Sequence, residues 1–156
     1  MMKGKFLVIL AALFIGCKEE SLECNSFKTG VFKMYYKGIF ENVIERDKEL
    51  QLEFVPNTDK IKSISKIEWE DCNYILRAFK YLHKEDNPLE AKVVKIEKDT
   101  IFVDANLKNT FWFGKIVEPV KPYYKFVKIT DEISERFKKA KLLIEKEELP
   151  SNAKSW

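Results

Sequence analysis

Residues 31–46, with the sequence VFKMYYKGIFENVIER, decide the fold class. The alternation in the first half predicts a β-strand, one face of which is formed by Phe32, Met34 and Tyr36. Lys37-Gly38 is a turn signal, and residues 40–46 are predicted to return as the partner strand. The stretch therefore predicts an antiparallel hairpin, the repeating unit of antiparallel sheets and barrels.

Similar patterns follow along the chain. Leu50, Leu52 and Phe54 alternate with Gln51 and Glu53, which is typical of a half-buried strand. Further strands are predicted at residues 61–69, 74–81, 93–96, 100–105, 111–117 and 123–129. Turn signals separate them at intervals of roughly 8–12 residues, as in all-β sandwiches and barrels. We predict a mainly β fold: a small antiparallel β-barrel or a curved meander, with a lipocalin-like barrel as one form.

The C-terminal segment differs from the rest of the chain. Residues 131–148 contain neither Gly nor Pro and predict an α-helix, for which Thr130 or Asp131 is the expected N-cap. One amphipathic stripe is formed by Ile133, Phe137, Ala140 and Ile144. We therefore expect a single β-rich domain with a C-terminal helix over residues 24–149, followed by a tail over residues 150–156.

The N-terminal segment, residues 1–16, resembles a secretory signal peptide. Two lysines precede the apolar run FLVILAALFI, and Gly16 is a small residue at the expected cleavage site. Such a run spans about 15 Å as a helix, about half of the ~30 Å hydrocarbon core, so no transmembrane helix is predicted. Residues 14–17, FIGC, resemble the bacterial lipobox. Cys17 is accordingly expected to be lipidated, with residues 17–23 as a lipidated tether.

The residues after Cys17 bear on location. Lys18-Glu19-Glu20 resembles the surface-export signal of some outer-membrane lipoproteins, although a solvated linker has the same composition. We expect an outer-membrane lipoprotein, either periplasmic or surface-exposed, whose lipid attaches it to the membrane.

Composition and charge narrow the class of partner. The chain is 46% apolar and 34% charged, which is typical of a globular protein. Its net charge is +3, but Lys3 and Lys5 belong to the signal segment, and without them 26 basic residues face 25 acidic ones. Binding to nucleic acid requires a concentrated positive surface, so no nucleic-acid partner is predicted.

Two cysteines remain once Cys17 is lipidated. An even number of cysteines in an oxidising compartment favours a disulfide between Cys24 and Cys72, with two buried free thiols as the alternative. Closing a loop of about 50 residues would stabilise the fold by about 4 kcal/mol. With the single His83 these cysteines make only three soft ligands, so neither a metal site nor a cofactor is predicted.

Two motifs carry a family resemblance. Residues 24–32, CNSFKTGVF, open the first strand, and residues 69–74, WEDCNY, contain the second cysteine. They resemble a group of small, uncharacterised bacterial lipoproteins, some of which carry an automatic "DNA topoisomerase IV" label. The chain has no nucleotide-binding loop and its export signal argues against work on the chromosome. The resemblance, over residues 24–106, implies a small antiparallel β fold and no known activity.

No catalytic residue is predicted. His83 is a lone histidine beside a predicted loop, and Glu68, Glu70 and Asp71 are expected on a solvated strand face and turn. The aromatic residues expected to fill the core or line a ligand cavity are Tyr36, Trp69, Tyr74, Phe111 and Phe113. Since neighbouring strand residues point to opposite faces, Trp112 would point outward and mark an interface.

The sequence favours a binding or assembly role over chemistry. In one hypothesis, the β domain carries a small apolar ligand at the cell envelope, which requires an aromatic-lined cavity. In the other, a solid domain binds or protects another envelope protein through exposed apolar surface. An enzyme would need a cleft that brings acidic residues together with a shifted pKa.

Overall fold

The computed structural model describes residues 23–79, 88–107, 111–112, 115–116, 123–151 and 153. These residues form a short 3-10 turn, Asn25–Phe27, ten strands and one helix. The strands are β1 Gly30–Tyr36, β2 Ile39–Arg46, β3 Leu50–Phe54, β4 Ile61–Glu70, β5 Asn73–Arg77, β6 Leu89–Glu97, β7 Thr100–Leu107, β8 Phe111–Trp112, β9 Lys115–Ile116 and β10 Tyr123–Thr130. The helix, α1, spans Glu135–Glu145.

Eight of the described strands close into an antiparallel barrel in the order β1-β10-β7-β6-β5-β4-β3-β2. Closure is made by β10, which pairs with β1 on one side and with β7 on the other. The predicted β-barrel is therefore confirmed, and the open meander is excluded. Strands β8 and β9 form a separate two-stranded hairpin inserted between β7 and β10. An eight-stranded barrel is just wide enough for side chains to fill it or for one small ligand.

The two ends of the barrel differ, and we name them the closed end and the open end. At the closed end β1 begins and β2 ends, and Phe27 of the 3-10 turn is buried there. The open end lies at the turn between β1 and β2, where Tyr36 pairs with Ile39 and with Tyr124 of β10. Because β7 ends and β10 begins at the open end, the inserted β8–β9 hairpin leaves the barrel there.

Two separate cores hold the fold together. The inner core fills the barrel, and its most deeply buried side chains are Phe32, Ile44, Val93, Ile101, Val103 and Ala105. The outer core lies between the outside of β3–β4 and the helix, and its members are Leu50, Leu52, Phe54, Ile61, Ile64, Phe137, Ala140 and Ile144. Both cores lie within residues 24–153, so a chain that begins at Lys18 retains every core contact described.

Strand β3 is buried on both faces, contrary to the half-buried strand expected from its alternation. Its apolar residues face the helix outside the barrel, and its polar residues Gln51 and Glu53 face the barrel interior. The register shows this, because Glu53 pairs with inner-core Ile44, whereas Leu52 pairs with Ile64 of the outer core. Because the helix covers the apolar face of β3 on the outside of the barrel, the polar face of β3 lines the lumen.

The helix is shorter than predicted. Strand β10 continues to Thr130, so neither Thr130 nor Asp131 caps the helix; Ser134 does, and its side chain accepts a hydrogen bond from the Phe137 N–H. The predicted apolar stripe is confirmed for Phe137, Ala140 and Ile144, which are buried. Full burial of each larger side chain contributes about 1.5–3 kcal/mol.

A buried carboxylate fastens the start of the helix to the barrel. Glu45 of β2, on the outer face, accepts hydrogen bonds from the Ser134 backbone N–H at 3.2 Å and hydroxyl at 2.6 Å. It also accepts one from Arg136 Nε at 2.7 Å. Arg136 continues to the carbonyl of Thr58 at 2.9 Å, and its guanidinium lies over the Phe54 ring. The carboxylate is thus fully paired, as a buried charge requires.

Candidate functional site

A cavity of about 240 Å³ occupies the open half of the barrel lumen. One wall, contributed by β1, β5, β6, β7 and β10, is apolar and aromatic. Its residues are Met34, Tyr36, Tyr74, Leu76, Leu89, Ala105, Tyr124 and Phe126. The facing wall, contributed by β2, β3 and β4, is polar. Its residues are Glu41, Asn42, Gln51, Glu53 and Lys62. The lumen is therefore amphipathic, with the two types of surface on opposite sides.

The polar wall is organised by hydrogen bonds across three strands. Asn42 Nδ2 donates to Glu53 Oε2 at 3.2 Å, and Lys62 Nζ donates to Asn42 Oδ1 at 3.2 Å. Deeper in the barrel, Arg46 Nη1 donates to Gln51 Oε1 at 3.4 Å. Amide side chains therefore stand between the charged groups and hold them in place.

Burial raises the pKa of two groups inside the lumen. It raises the pKa of the Glu53 carboxyl, and the ammonium of Lys62 together with hydrogen bonds from Ser63 and Gln51 acts in the opposite direction. It also raises the pKa of Tyr124 to about 12, with a further contribution from the charge of Glu53. The Tyr124 hydroxyl is therefore neutral at physiological pH and available as a hydrogen-bond donor.

Several polar groups of the lumen have capacity to spare. Within the described residues, the hydroxyls of Tyr36 and Tyr124 make no hydrogen bond, and Lys62 Nζ makes the single bond to Asn42. The rings of Tyr36 and Tyr124 lie 5.4 Å apart at the open end. An amine, two hydroxyls and a carboxylate can therefore bind a polar group that enters from this end.

Arg46 forms the floor beneath this cavity. Its side chain is 0% exposed, and Nε donates to the carbonyl of Phe27 at 3.0 Å. Its guanidinium carbon lies within the roughly 6 Å reach of a cation–π interaction from four rings, those of Phe32 at 4.6 Å, Trp69 at 5.0 Å, Tyr74 at 5.3 Å and Phe126 at 5.6 Å. Burial lowers the pKa of Arg46, and Tyr74 opposes that shift. In the described part of the chain, Arg46 Nη2 has no hydrogen-bond partner.

Cys24 and Cys72 are paired at the closed end, as the cysteine count predicted. Their Cα atoms are 5.4 Å apart, well within the range for a disulfide. Because Cys24 precedes the 3-10 turn and Cys72 lies in the β4–β5 turn, the bridge holds the turn that carries Phe27 against the barrel. The closed end is thus fixed both covalently and by packing.

The predicted aromatic residues are divided between the two ends. Tyr36 and Tyr74 line the lumen, whereas Trp69 packs on Tyr74 at 4.6 Å and on Arg46 at the closed end. Phe111 and Trp112 belong to β8, but their side chains fall outside the described residues, as do Phe113, Cys17 and His83. The roles predicted for these five stay predictions.

The acidic cluster singled out in the sequence lies outside the barrel. Glu68 and Glu70 border a surface groove of about 570 Å³, and Asp71 occupies the β4–β5 turn with a positive φ of 52°. Glu68 forms an ion pair with Arg77 at 3.5 Å. No group of three His, Cys, Asp or Glu able to hold a metal is found in the described ranges. The cluster is a solvated surface, and the polar groups that meet lie inside the barrel.

The polar wall was missed by sequence analysis. Asn42 and Arg46 share a strand face with Ile44, and Glu53 pairs with Ile44 across β2–β3. The alternation of β3 together with the amphipathic helix could have indicated it. Because the helix needs an apolar surface outside the barrel, the apolar face of β3 can face outward and its polar face inward.

No protein-family model matches this chain, and neither a characterised protein nor a solved structure shows significant similarity to it. The resemblance to small bacterial lipoproteins stays a prediction. Of the helices in the described residues, none is both long and apolar enough to cross a membrane.

Proposed function

We propose that this protein is a lipid-anchored cell-envelope protein whose barrel binds one small amphipathic molecule. The observation that carries the proposal is the amphipathic lumen, closed at one end by Phe27 and accessible from the other. A bound molecule would place its apolar part against Met34 and Phe126 and its polar group near Glu53 and Lys62. The hypothesis of a small apolar ligand is refined here, because the hydroxyls of Tyr36 and Tyr124 and the amine of Lys62 retain hydrogen-bonding capacity that a polar group of the ligand would use.

The size of the cavity limits the ligand. An engineered cavity of about 150 Å³ accommodates benzene, so a lumen of about 240 Å³ would take about ten non-hydrogen atoms. Ligands of this size have affinities limited by roughly 0.3–1.5 kcal/mol per atom. We therefore expect a short-chain amphiphile bound with moderate affinity.

The test compares three probes by titration calorimetry on a chain that begins at Lys18. We expect octanol to bind, and octane and glycerol to bind at least ten-fold more weakly, because each lacks one of the two required surfaces. Ala105→Leu fills the lumen from β7 and should abolish octanol binding. Ala78→Leu is the matched control, since Ala78 does not line the cavity. Equal binding of octanol by both variants would contradict the proposal.

The lipid anchor is supported by the sequence of residues 1–17 and has its own test. Intact mass measurement of protein purified from the envelope should reveal an acylated N-terminus at Cys17. Cys17→Ser should remove the added mass and release the protein from the membrane fraction. An unmodified Cys17 in the native host would contradict the lipid anchor but would not bear on the proposed ligand site.

A second candidate function, an adaptor for another envelope protein, is favoured by one surface. Beside the helix lies an apolar hollow of about 340 Å³, with Ile133 and Phe137 in its walls and Leu142 60% exposed at its edge. If this surface binds a partner, Leu142→Asp should lose a stoichiometric envelope protein in purification. Ile129→Asp, which changes an exposed residue of the barrel, should retain it. If both variants retain the envelope protein, this surface is excluded as its binding site.

A further inference from the structure

We infer that the open end of the barrel docks onto an anionic lipid bilayer through the turn between β1 and β2. This inference does not depend on a ligand and goes beyond the proposed binding function. It identifies the partner of an exposed surface by that surface's chemistry, namely adjacent apolar side chains surrounded by lysines at the mouth of the lumen.

The apolar part of this surface is concentrated at the turn. Ile39 is 66% exposed and its neighbour Phe40 is 38% exposed. The Phe40 ring packs on Tyr35 at 5.6 Å, so an aromatic pair supports the exposed Ile39. In the described part of the chain, the other large exposed apolar side chains, Val94, Ile129, Leu142 and Leu149, are not adjacent to one another in sequence. Adjacent exposed apolar residues beside a cavity mouth are typical of a binding surface.

Lysines surround this apolar turn. Lys37 lies in the turn and Lys125 of β10 pairs with Tyr35 beside it, and both are exposed; Lys33 is exposed farther along β1. Lys37 Nζ lies 5.2 Å from the centre of the Tyr36 ring and Lys125 Nζ 5.4 Å from that of Tyr35, so both amines lie beside aromatic rings. Lysine side chains next to aromatic ones suit the boundary between water and lipid, where their stems contact the apolar layer and their amines contact headgroups. Each lysine near an anionic surface contributes about 1 kcal/mol.

The topology adds a second element to the same end. The β8–β9 hairpin is inserted in the sequence between β7, which ends at the open end, and β10, which begins there and is the neighbour of β1 in the barrel order. Its sequence from Phe111 to Ile116 is FWFGKI, again aromatic residues with a lysine. The segment between β7 and β10 therefore has a sequence that is similar in composition to the turn between β1 and β2.

The length of the expected tether fits this orientation. A strand of seven residues such as β1 rises about 23 Å, or about 18 Å along the axis of a barrel with strands tilted by about 40°. The seven residues 17–23 reach at most about 24 Å when extended. A lipid at Cys17 can therefore be in the same bilayer that the open end contacts, although the tether joins the closed end.

The experiment is vesicle co-sedimentation of the chain that begins at Lys18, which lacks lipid of its own. Vesicles contain phosphatidylcholine alone or with one third phosphatidylglycerol. We expect binding to the anionic vesicles, weakened at high ionic strength. Ile39→Ser should reduce partitioning at least ten-fold. Lys37→Gln should reduce it about five-fold.

Ile129→Ser is the matched control, because Ile129 is 51% exposed but lies on β10 near the closed end. It should leave partitioning unchanged. Three results would overturn the inference: absence of wild-type binding, equal binding to neutral and anionic vesicles, or an equal loss in Ile129→Ser and Ile39→Ser. Thermal unfolding of each variant verifies that a loss of binding is not a loss of folding.

Discussion

Both ends of the barrel lumen contain charged and aromatic side chains, but these are packed together at the closed end and line a cavity at the open end. At the closed end, the cation of Arg46 is enclosed by four aromatic rings beneath the Phe27 turn and the Cys24–Cys72 bridge. At the open end, charged and aromatic groups line a cavity and retain unused hydrogen-bonding capacity. The difference indicates that the packing and the covalent link that stabilise the barrel are concentrated at the closed end, and the proposed ligand site lies at the other end, as expected when a rigid scaffold supports a less stable site.

We expect the largest loss of stability when Arg46 at the closed end is replaced. Arg46→Ala leaves a cavity among the rings and unpairs Phe27 O and Gln51 Oε1, so the free energy of unfolding should fall by about 3–5 kcal/mol. Chemical denaturation measures it. Arg77→Ala, which removes an exposed ion pair with Glu68, should cost less than about 1 kcal/mol. Similar losses in the two variants would refute the special role of the closed end.

The next largest effect concerns the disulfide. Replacing Cys24 and Cys72 together by Ser should lower the free energy of unfolding by about 2–4 kcal/mol. Octanol affinity, measured where both proteins are folded, should change little because the bridge lies at the other end of the lumen. A large loss of affinity in folded protein would mean that the two ends are coupled.

Two glycines allow a smaller and closely matched comparison. Gly30 at the closed end has a φ of 123°, and a Cβ there would lie 2.5 Å from the Thr130 carbonyl oxygen. Gly38 at the open end has a φ of 84° and nothing within 4 Å. Gly30→Ala should therefore cost about 2–3 kcal/mol and Gly38→Ala about 1 kcal/mol, measured as thermal unfolding. The reverse order would contradict the rigidity assigned to the closed end.

The smallest effect is the pH dependence of Glu53, which faces Lys62, Glu41, Tyr36, Tyr74 and Tyr124 across the lumen. Burial raises the pKa of this carboxyl in the folded protein. Between the pKa of Glu53 in the unfolded state and its higher pKa in the folded state, the folded protein binds more protons than the unfolded one. The contribution of Glu53 to stability is therefore fully present in acid and is lost as the pH rises through the folded pKa.

Glu53→Gln removes this titration and should therefore gain stability relative to the wild type between acidic and neutral pH. Denaturation midpoints at several pH values measure the difference. Glu68→Gln, a change on the exposed outer surface, is the control that should show no comparable gain. A constant difference between Glu53→Gln and wild type across pH would contradict the prediction.

The sequence allowed the barrel to be predicted because each hairpin has local signals. Lys37-Gly38 and Asp71 occupy turns with positive φ, and each lies where the sequence had suggested a turn. The disulfide followed from the cysteine count. These features depend on neighbouring residues or on compartment, not on long-range geometry.

The candidate site could not be predicted in the same way. Alternation in β3 separates Leu52 from Glu53, but it does not decide which face is inside a barrel. That choice depends on α1, some eighty residues later, which covers Leu52 and leaves Glu53 to the lumen. Arg46 was predicted only as the last residue of a strand, and its burial follows from the closing of the barrel around it.

Native mass spectrometry of the protein purified from the envelope of its own host determines whether the open end of the barrel holds a ligand. We expect a discrete extra mass of a small molecule on the wild type, lost on denaturation. The same preparation of Ala105→Leu should be a bare protein of unchanged stability. A bare wild type, or an identical extra mass on both proteins, would contradict a ligand site in the open end of the barrel.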